Sequence, residues 1–393
     1  VIPIIDPALE VPLCFSTDGL EIYLIGVRAG GYGGPDNWVS RRATTDDEWG
    51  PLVNLGPNIN TSVDDSVACI SPDGLTLYWD SKRPGGYGDY DIYMSKRETK
   101  DSLWGPAMNL GPTINSYFTD ASAWVSPDNL ELYFASYRSG GYGSADIYVS
   151  KRARATDPWG DAENLGPTVN SPYTEQYVSL SPDGLLMFFC EPQGEPVRPG
   201  GYGGCDCWMT RRANLSAPWQ TPVNLGPKIN AAANDLFPRV SPDGRTFHFY
   251  SGVALDFSTY ESWTVPIIPI IDFTGDGQVD GKDLVAMVVQ LGGNDPLCDI
   301  GPFAWGDGVV DAKDLTVLAE YIGKEFEDPT LVAHWTLDEI EGAVAADSAG
   351  DYDGSLTAGA AWQPQGGMVG GALKCDGVTG CVVTGTIPNL GTG

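Results

Sequence analysis

Through the first two thirds of the chain, apolar residues come in short runs separated by tight-turn residues rather than at helical spacing. Val67-Ala68-Cys69-Ile70 leads into the turn Ser71-Pro72-Asp73-Gly74, and Leu75-Thr76-Leu77-Tyr78-Trp79 follows it. A glycine-rich loop, Arg83-Pro84-Gly85-Gly86-Tyr87-Gly88, then reaches Asp91-Ile92-Tyr93-Met94, and a fourth segment runs from Trp104-Gly105 to Asn109-Leu110-Gly111-Pro112. Short β-branched and aromatic runs bounded by Gly, Pro and Asp predict antiparallel strands. Pro at the second turn position presets φ, and Gly or Asn at the fourth tolerates a positive one, so the turn predicts a hairpin.

This unit repeats. The turn recurs as Ser126-Pro127-Asp128-Asn129, Ser181-Pro182-Asp183-Gly184 and Ser241-Pro242-Asp243-Gly244, with a looser copy at Ser16-Thr17-Asp18-Gly19. The intervals are 55, 55, 55 and 60 residues. Five four-stranded units predict a five-bladed β-propeller, because a closed ring buries each blade against two neighbours and leaves no open edge. In the fifth copy the Gly-Gly-Tyr-Gly loop is missing, and its fourth strand is expected from Val1-Ile2-Pro3-Ile4-Ile5, closing the ring. The Ser-Pro-Asp-Gly and Asp-Ile-Tyr repeats resemble those of TolB-like propellers over about residues 6 to 265. That resemblance implies a partner-binding architecture and carries no specific chemistry.

Composition changes the picture in two ways. Gly (50) and Pro (30) make up about a fifth of the 393 residues, which fits many turns and disfavours a helical bundle. The net charge is −30, so nucleic acid and anionic membranes are expected to be repelled, and no apolar run is long enough for a membrane span. The acidic excess suits calcium-rich extracellular surroundings, secreted or at the cell surface. The chain begins at Val1, so a signal peptide is expected to have been removed or left out. Eight scattered cysteines predict local disulfides, Cys190 with Cys205 (Cys207 competing) and Cys375 with Cys381.

After the propeller, residues 272–283 read Asp-Phe-Thr-Gly-Asp-Gly-Gln-Val-Asp-Gly-Lys-Asp. Oxygen donors fall at calcium-loop positions: Asp272, Thr274, Asp276, the Gln278 carbonyl, Asp280 and Asp283. Leu284, Val288 and Leu291 share one face of a following helix. A second half carries Asp299, Asp307, the Val309 carbonyl, Asp311 and Asp314, then Leu315, Leu318 and Ile322. The duplicated loop and helix resemble a dockerin, which implies one calcium ion, a second at the more divergent loop, and a cohesin-like partner. From Leu331 onward, Leu-Val-Ala-His-Trp-Thr-Leu-Asp and Gly371-Ala372-Leu373-Lys374-Cys375-Asp376-Gly377 resemble the opening of a laminin-G or concanavalin-like jelly roll. Only about 60 residues of it are present, so a partial sandwich is expected. The expected class is mainly β: a five-bladed propeller over 1–267, a small α EF-hand-like dockerin module over 268–327 and a partial β-sandwich over 328–393.

Candidate chemistry sits at the mouth of the propeller channel. Six residues before each turn Ser stands an acid: Glu10, Asp65, Asp120, Glu175 and Asp235. Either they ring the channel as a cation or sugar site, or each accepts backbone N–H bonds in its own interblade loop. Four Gly-Gly-Tyr-Gly loops on the same side display Tyr32, Tyr87, Tyr142 and Tyr202, either for stacking on sugar faces or folded back on their blades. Trp124, Gln176, Tyr177 and Arg239 on the first strands, and His248, break the repeat and so favour a ligand role over architecture. The repeated Asp36, Asp91, Asp146 and Asp206 are expected to cap loops, and Trp49, Trp104, Trp159 and Trp219 to pack between blades. Three functions compete: a binding protein for polysaccharide or protein with calcium-dependent docking, a glycoside hydrolase or lyase using paired channel carboxylates, and a structural surface component. A hydrolase needs two carboxylates in different environments, and the five acids supply no such asymmetry.

Overall fold

The computed structural model describes residues 10–191, 198–252, 260–269, 271–274, 278–295 and 297–323, together with five short strands between 344 and 383. The chain divides into two compact units, Val1–Ile267 and Ile268–Gly393.

The first unit is a five-bladed β-propeller. Blade 2 shows the plan: Asp65–Ile70, Thr76–Ser81, Asp91–Lys96 and Met108–Asn109 pair in that order, all antiparallel. Blades 1, 3 and 4 repeat it from Glu10–Phe15, Asp120–Val125 and Gln176–Leu180. Blade 5 has three described strands, Asn234–Val240, Thr246–Gly252 and Glu261–Pro266. The segment expected to add its fourth, residues 1–5, lies outside the described residues. Each first strand packs on the first strands of its neighbours, and that of blade 1 meets that of blade 5, so these five form the hub.

Burial follows the pleat. The second strands are almost wholly buried, as in Leu77, Tyr78 and Trp79, whereas the two-residue outer strands are open to solvent. Trp159 packs edge-on against Tyr78 of the preceding blade, and Trp219 against Tyr133, so these two tryptophans lie between blades as expected. Backbone stitches join the blades as well. The N–H groups of Asp65, Asp120, Glu175 and Asp235 donate to carbonyls of Pro35, Tyr90, Ala145 and Cys205 in the blade before, at 2.8–2.9 Å.

Cys190 and Cys205 are buried free thiols, contrary to the expected disulfide. The strand register sets Cys207, not Cys205, opposite Cys190. The Cys375–Cys381 pair lies outside the described side chains.

In the second unit, helices α1 (Gly281–Val289) and α2 (Ala312–Tyr321) each begin with an aspartate in a capping box, Asp280 with Asp283 and Asp311 with Asp314. Their core contains Ile271, Val279, Met287, Ile300, Val310 and Leu318. Leu284, Val288 and Leu291, expected to share one face of the first helix, are exposed; the face turned inward carries Asp283 and Met287. One residue, about 100° around the helix, separates the two, and Asp283 reaches back to the Thr274 N–H and holds its face inward. The five short strands farther on form one three-stranded and one two-stranded antiparallel sheet. With two to four residues each, the described strands do not make up a jelly roll.

Candidate functional site

The channel-mouth acids are built into the frame. Asp65 accepts the N–H and hydroxyl of Thr61 at 2.6 and 2.7 Å and the Arg83 guanidinium at 2.7 Å. Asp120 does the same with Ser116 and, at 2.8 Å, Arg138. Glu175 takes the Ser171 N–H and hydroxyl and Arg198 at 2.7 Å. Each arginine also donates to the interblade loop, at the carbonyls of Ile59, Ile114 and Val169. It lies over two aromatic rings of its own blade as well, for example Phe134 and Tyr148 beneath Arg138. All three carboxylates are fully buried. This arrangement matches the loop-bonded alternative for them, with an arginine that the sequence reading left out. The signal was available: Arg28, Arg83, Arg138 and Arg198 all stand two residues before a Gly-Gly-Tyr-Gly.

Blade 5 lacks that loop, so Asp235 has the Ala231 N–H at 2.7 Å and Ser251 but no loop arginine. Burial pushes its carboxyl above the usual range, and does the same to Glu175 against the pull of Ser171 and Arg198. The Glu10 side chain lies outside the described residues.

The third-strand aspartates cap the Gly-Gly-Tyr-Gly loops. Asp36, Asp91, Asp146 and Asp206 each accept the backbone N–H of the loop tyrosine at 2.5–2.7 Å. They also accept the side-chain amide of Asn54, Asn109, Asn164 or Asn224. With its backbone tied down, each loop turns its ring outward. Tyr32, Tyr87, Tyr142 and Tyr202 are 46, 46, 49 and 52% exposed. The rings therefore do not fold back into their blades.

The hub is plugged. At the fifth residue of each first strand, counted from the acid, stand Cys14, Cys69, Trp124, Ser179 and Arg239. Arg239 is fully buried, lies 4.9 Å from the Trp124 ring, and donates to the Pro238 and Tyr177 carbonyls at 2.7 and 3.2 Å. Ser179 donates to the same Pro238 carbonyl at 2.5 Å. Two residues ahead of this ring the strands bulge, and Ser122, Tyr177 and Phe237 adopt positive φ of 58, 56 and 54°. Strain of this kind in non-glycine residues marks a surface held by its surroundings. The Tyr177 and Phe237 rings meet with their centroids 4.2 Å apart.

Asp80 joins this group and was missed in the sequence. It holds the second-strand position that is Ile25, Ala135, Cys190 and Tyr250 in other blades. Buried, it accepts the N–H of the strained Ser122 at 3.0 Å, and burial drives its carboxyl far up.

A cavity of about 100 Å3 opens at the other mouth, among the hairpin turns. It is lined by the turn residues Thr17, Pro72, Pro127, Pro182 and Pro242, by the strand-end residues Phe15, Ile70, Val125, Leu180 and Val240, and by Cys14 and Trp124. Trp124 thus faces the turn end rather than the tyrosine end.

In the second unit, three oxygens of the first loop cluster: Thr274 Oγ1 lies 3.3 Å from Asp272 Oδ1 and 3.2 Å from Asp283 Oδ1. Asp280 caps α1 through the Lys282 N–H, and Asp276 lies outside the described residues. In the second loop Asp299 accepts the N–H groups of Asp307 and Gly308, and Asp314 those of Ile300, Gly301 and Asp311. Asp311 caps α2, and the Val309 N–H turns back to Asp307. Among the described residues no three His, Cys, Asp or Glu side chains converge as a metal site. The first-loop Asp283 accepts the N–H groups of Thr274 and Asp280, as Asp314 does those of Ile300, Gly301 and Asp311 at the second loop, and Thr274 adds a hydroxyl beside Asp272 in the first loop.

No protein-family model and no curated protein sequence matches the chain. Among solved structures it is similar to TolB from Acinetobacter baumannii, at 14% identity and a TM-score of 0.41 over 66% of this chain and 54% of that one. A putative TolB from Agrobacterium tumefaciens matches at 18% identity and 0.41, over 66 and 81%. An alpha-L-arabinofuranosidase from Lactobacillus brevis matches at 13% and 0.46, over 67 and 92%. The chain spans about half the length of the first TolB. At these identities and scores no activity is assigned by likeness.

Proposed function

We propose that the propeller is a non-catalytic module that binds an extracellular polysaccharide or glycan at the end bearing the Gly-Gly-Tyr-Gly loops. The observation that carries this reading is the set of four half-exposed tyrosines on successive blades, each with its loop pinned by a third-strand aspartate. A ring held this way presents an apolar face at little entropic cost, which suits stacking on sugar C–H surfaces. Against hydrolysis speaks the engagement of Asp65, Asp120 and Glu175, whose charges are met by arginines and interblade N–H groups. A glycosidase needs one carboxyl free to donate and another free to attack or activate water. Among the described residues no helix is long and apolar enough to cross a membrane, and the net charge of −30 disfavours nucleic acid.

The test is a glycan array with the intact chain and with Tyr87→Ala plus Tyr142→Ala, alongside a reducing-sugar assay. Binding lost in the double variant, with no sugar released by the parent chain, supports the reading. Release of reducing ends, or binding indifferent to both tyrosines, refutes it.

The second unit adds a docking role. Its first loop would hold calcium through Asp272, Thr274, Asp276, the Gln278 carbonyl, Asp280 and Asp283. The ion would supply a fixed positive centre that orders the loop. The exposed Leu284 and Val288 on α1, with Leu291 just past its end, favour an apolar protein partner of the cohesin kind. Calorimetric calcium titration of the chain and of Asp272→Ala checks the ion.

A further inference from the structure

We propose that Cys14 is an oxidation site, at which a small apolar hydroperoxide entering the cavity at the turn end oxidises the sulfur and Cys69 then closes on it as a disulfide joining blades 1 and 2. Three features of the hub carry this. Among the described cysteines Cys14 alone lines the cavity, together with Trp124. The walls above it, Phe15, Ile70, Val125, Leu180 and Val240, are apolar, so the cavity favours an apolar guest over water. The second thiol is on the neighbouring strand. Cys14 and Cys69 occupy the same register position on adjacent first strands, and the N–H of Ile70, the residue after Cys69, lies 3.4 Å from the Cys14 sulfur.

The surroundings divide the roles between the two thiols. Burial pushes the Cys14 thiol up, but the bond from Cys69, the Ile70 N–H at 3.4 Å from its sulfur and the Arg239 guanidinium together bring it below its usual value. Cys69 is driven well up by burial and by Cys14 itself. Cys190, Cys205, Cys207 and Cys298 are likewise raised, chiefly by burial. The thiolate is the nucleophile, so Cys14 attacks and Cys69 resolves.

The chemistry balances. The Cys14 sulfur attacks the terminal peroxide oxygen and the O–O bond breaks. The alkoxide leaves and takes up the thiol proton as an alcohol. The sulfur, oxidised by two electrons, becomes a sulfenic acid. Cys69 sulfur then attacks Cys14 sulfur, the S–O bond breaks, and hydroxide departs with the Cys69 proton as water.

The experiment treats the reduced, full-length chain with tert-butyl hydroperoxide, blocks remaining thiols and maps the products by mass spectrometry. The expected result is a Cys14–Cys69 linkage formed at least about ten-fold faster than oxidation of Cys190, Cys205, Cys207 or Cys298. In Cys69→Ala, dimedone is expected to trap Cys14 as the sulfenic acid. Thr17→Trp, at the exposed rim, is expected to slow tert-butyl hydroperoxide several-fold more than hydrogen peroxide. Oxidation of Cys14 no faster than that of Cys298, or a rate unchanged by Thr17→Trp, overturns the proposal. These readouts do not depend on whether the tyrosine face binds a glycan.

Discussion

Arg138 lies 2.8 Å from Asp120, bridging a Gly-Gly-Tyr-Gly loop to the first strand of its own blade while also donating to the Ile114 carbonyl. The same latch, Arg83 with Asp65 and Arg198 with Glu175, recurs in two other blades. It turns a ring of buried negative charge into a clamp on the interblade loops.

Removing one partner strands the other. Arg138→Ala leaves the fully buried Asp120 with only Ser116 as donor, and loss of one member of a buried pair costs about 3–5 kcal/mol. Because the arginine side chain is 20% exposed, about 2–4 kcal/mol is expected, read as a lower urea midpoint. A change below about 0.5 kcal/mol would show the latch to be decoration.

Glu191 sets a pH dependence. Burial raises its carboxyl from 4.5 to about 7 despite the N–H and charge of Arg198. The folded state therefore binds more protons than the unfolded chain between pH 4.5 and 7, so stability falls as pH rises through that window and is level above it. Thermal midpoints across pH 4.5–8 should show this decline, and Glu191→Gln should flatten it. An unaltered profile in the variant would assign the decline elsewhere.

Gly143 allows a close approach that no other residue permits. A Cβ there would lie 1.6 Å from the Tyr173 carbonyl oxygen of the next interblade loop. Gly143→Ala must push two blades apart and is expected to cost more than about 2 kcal/mol, seen as lost thermal stability together with more mobile Trp219 fluorescence.

Asn115 acts as a surrogate strand partner. Its side chain accepts the Ile92 N–H at 2.8 Å and donates to the Ile92 carbonyl at 2.9 Å. Asn115→Ala leaves the Ile92 N–H unsatisfied in a buried site, at about 1–3 kcal/mol, while the Ile92 carbonyl keeps the Leu110 N–H at 3.1 Å. Asn115→Asp should keep the first bond and lose the second, giving a smaller loss in denaturant melts.

The blades were legible because each rests on local signals. The Ser-Pro-Asp-Gly turn sets a hairpin from its own φ preferences, and the 55-residue spacing repeats it. The inward face of α1 was not legible. Leu284, Val288 and Leu291 share an apolar face, yet the residue turned inward is Asp283, a carboxylate buried because it completes the capping box and takes the Thr274 N–H. A pattern that scores only apolarity cannot see a polar group buried by its hydrogen bonds.

What the residues alone determined is the strand, the turn and the count of blades, since period and turn chemistry act within a few positions of the chain. What only the tertiary structure decided is the work of the acids and the location of the cavity. Asp120 meets Arg138 eighteen residues on, and the cavity arises where five turns 55 to 60 residues apart converge. Such meetings depend on ring closure, a long-range event that no local preference encodes.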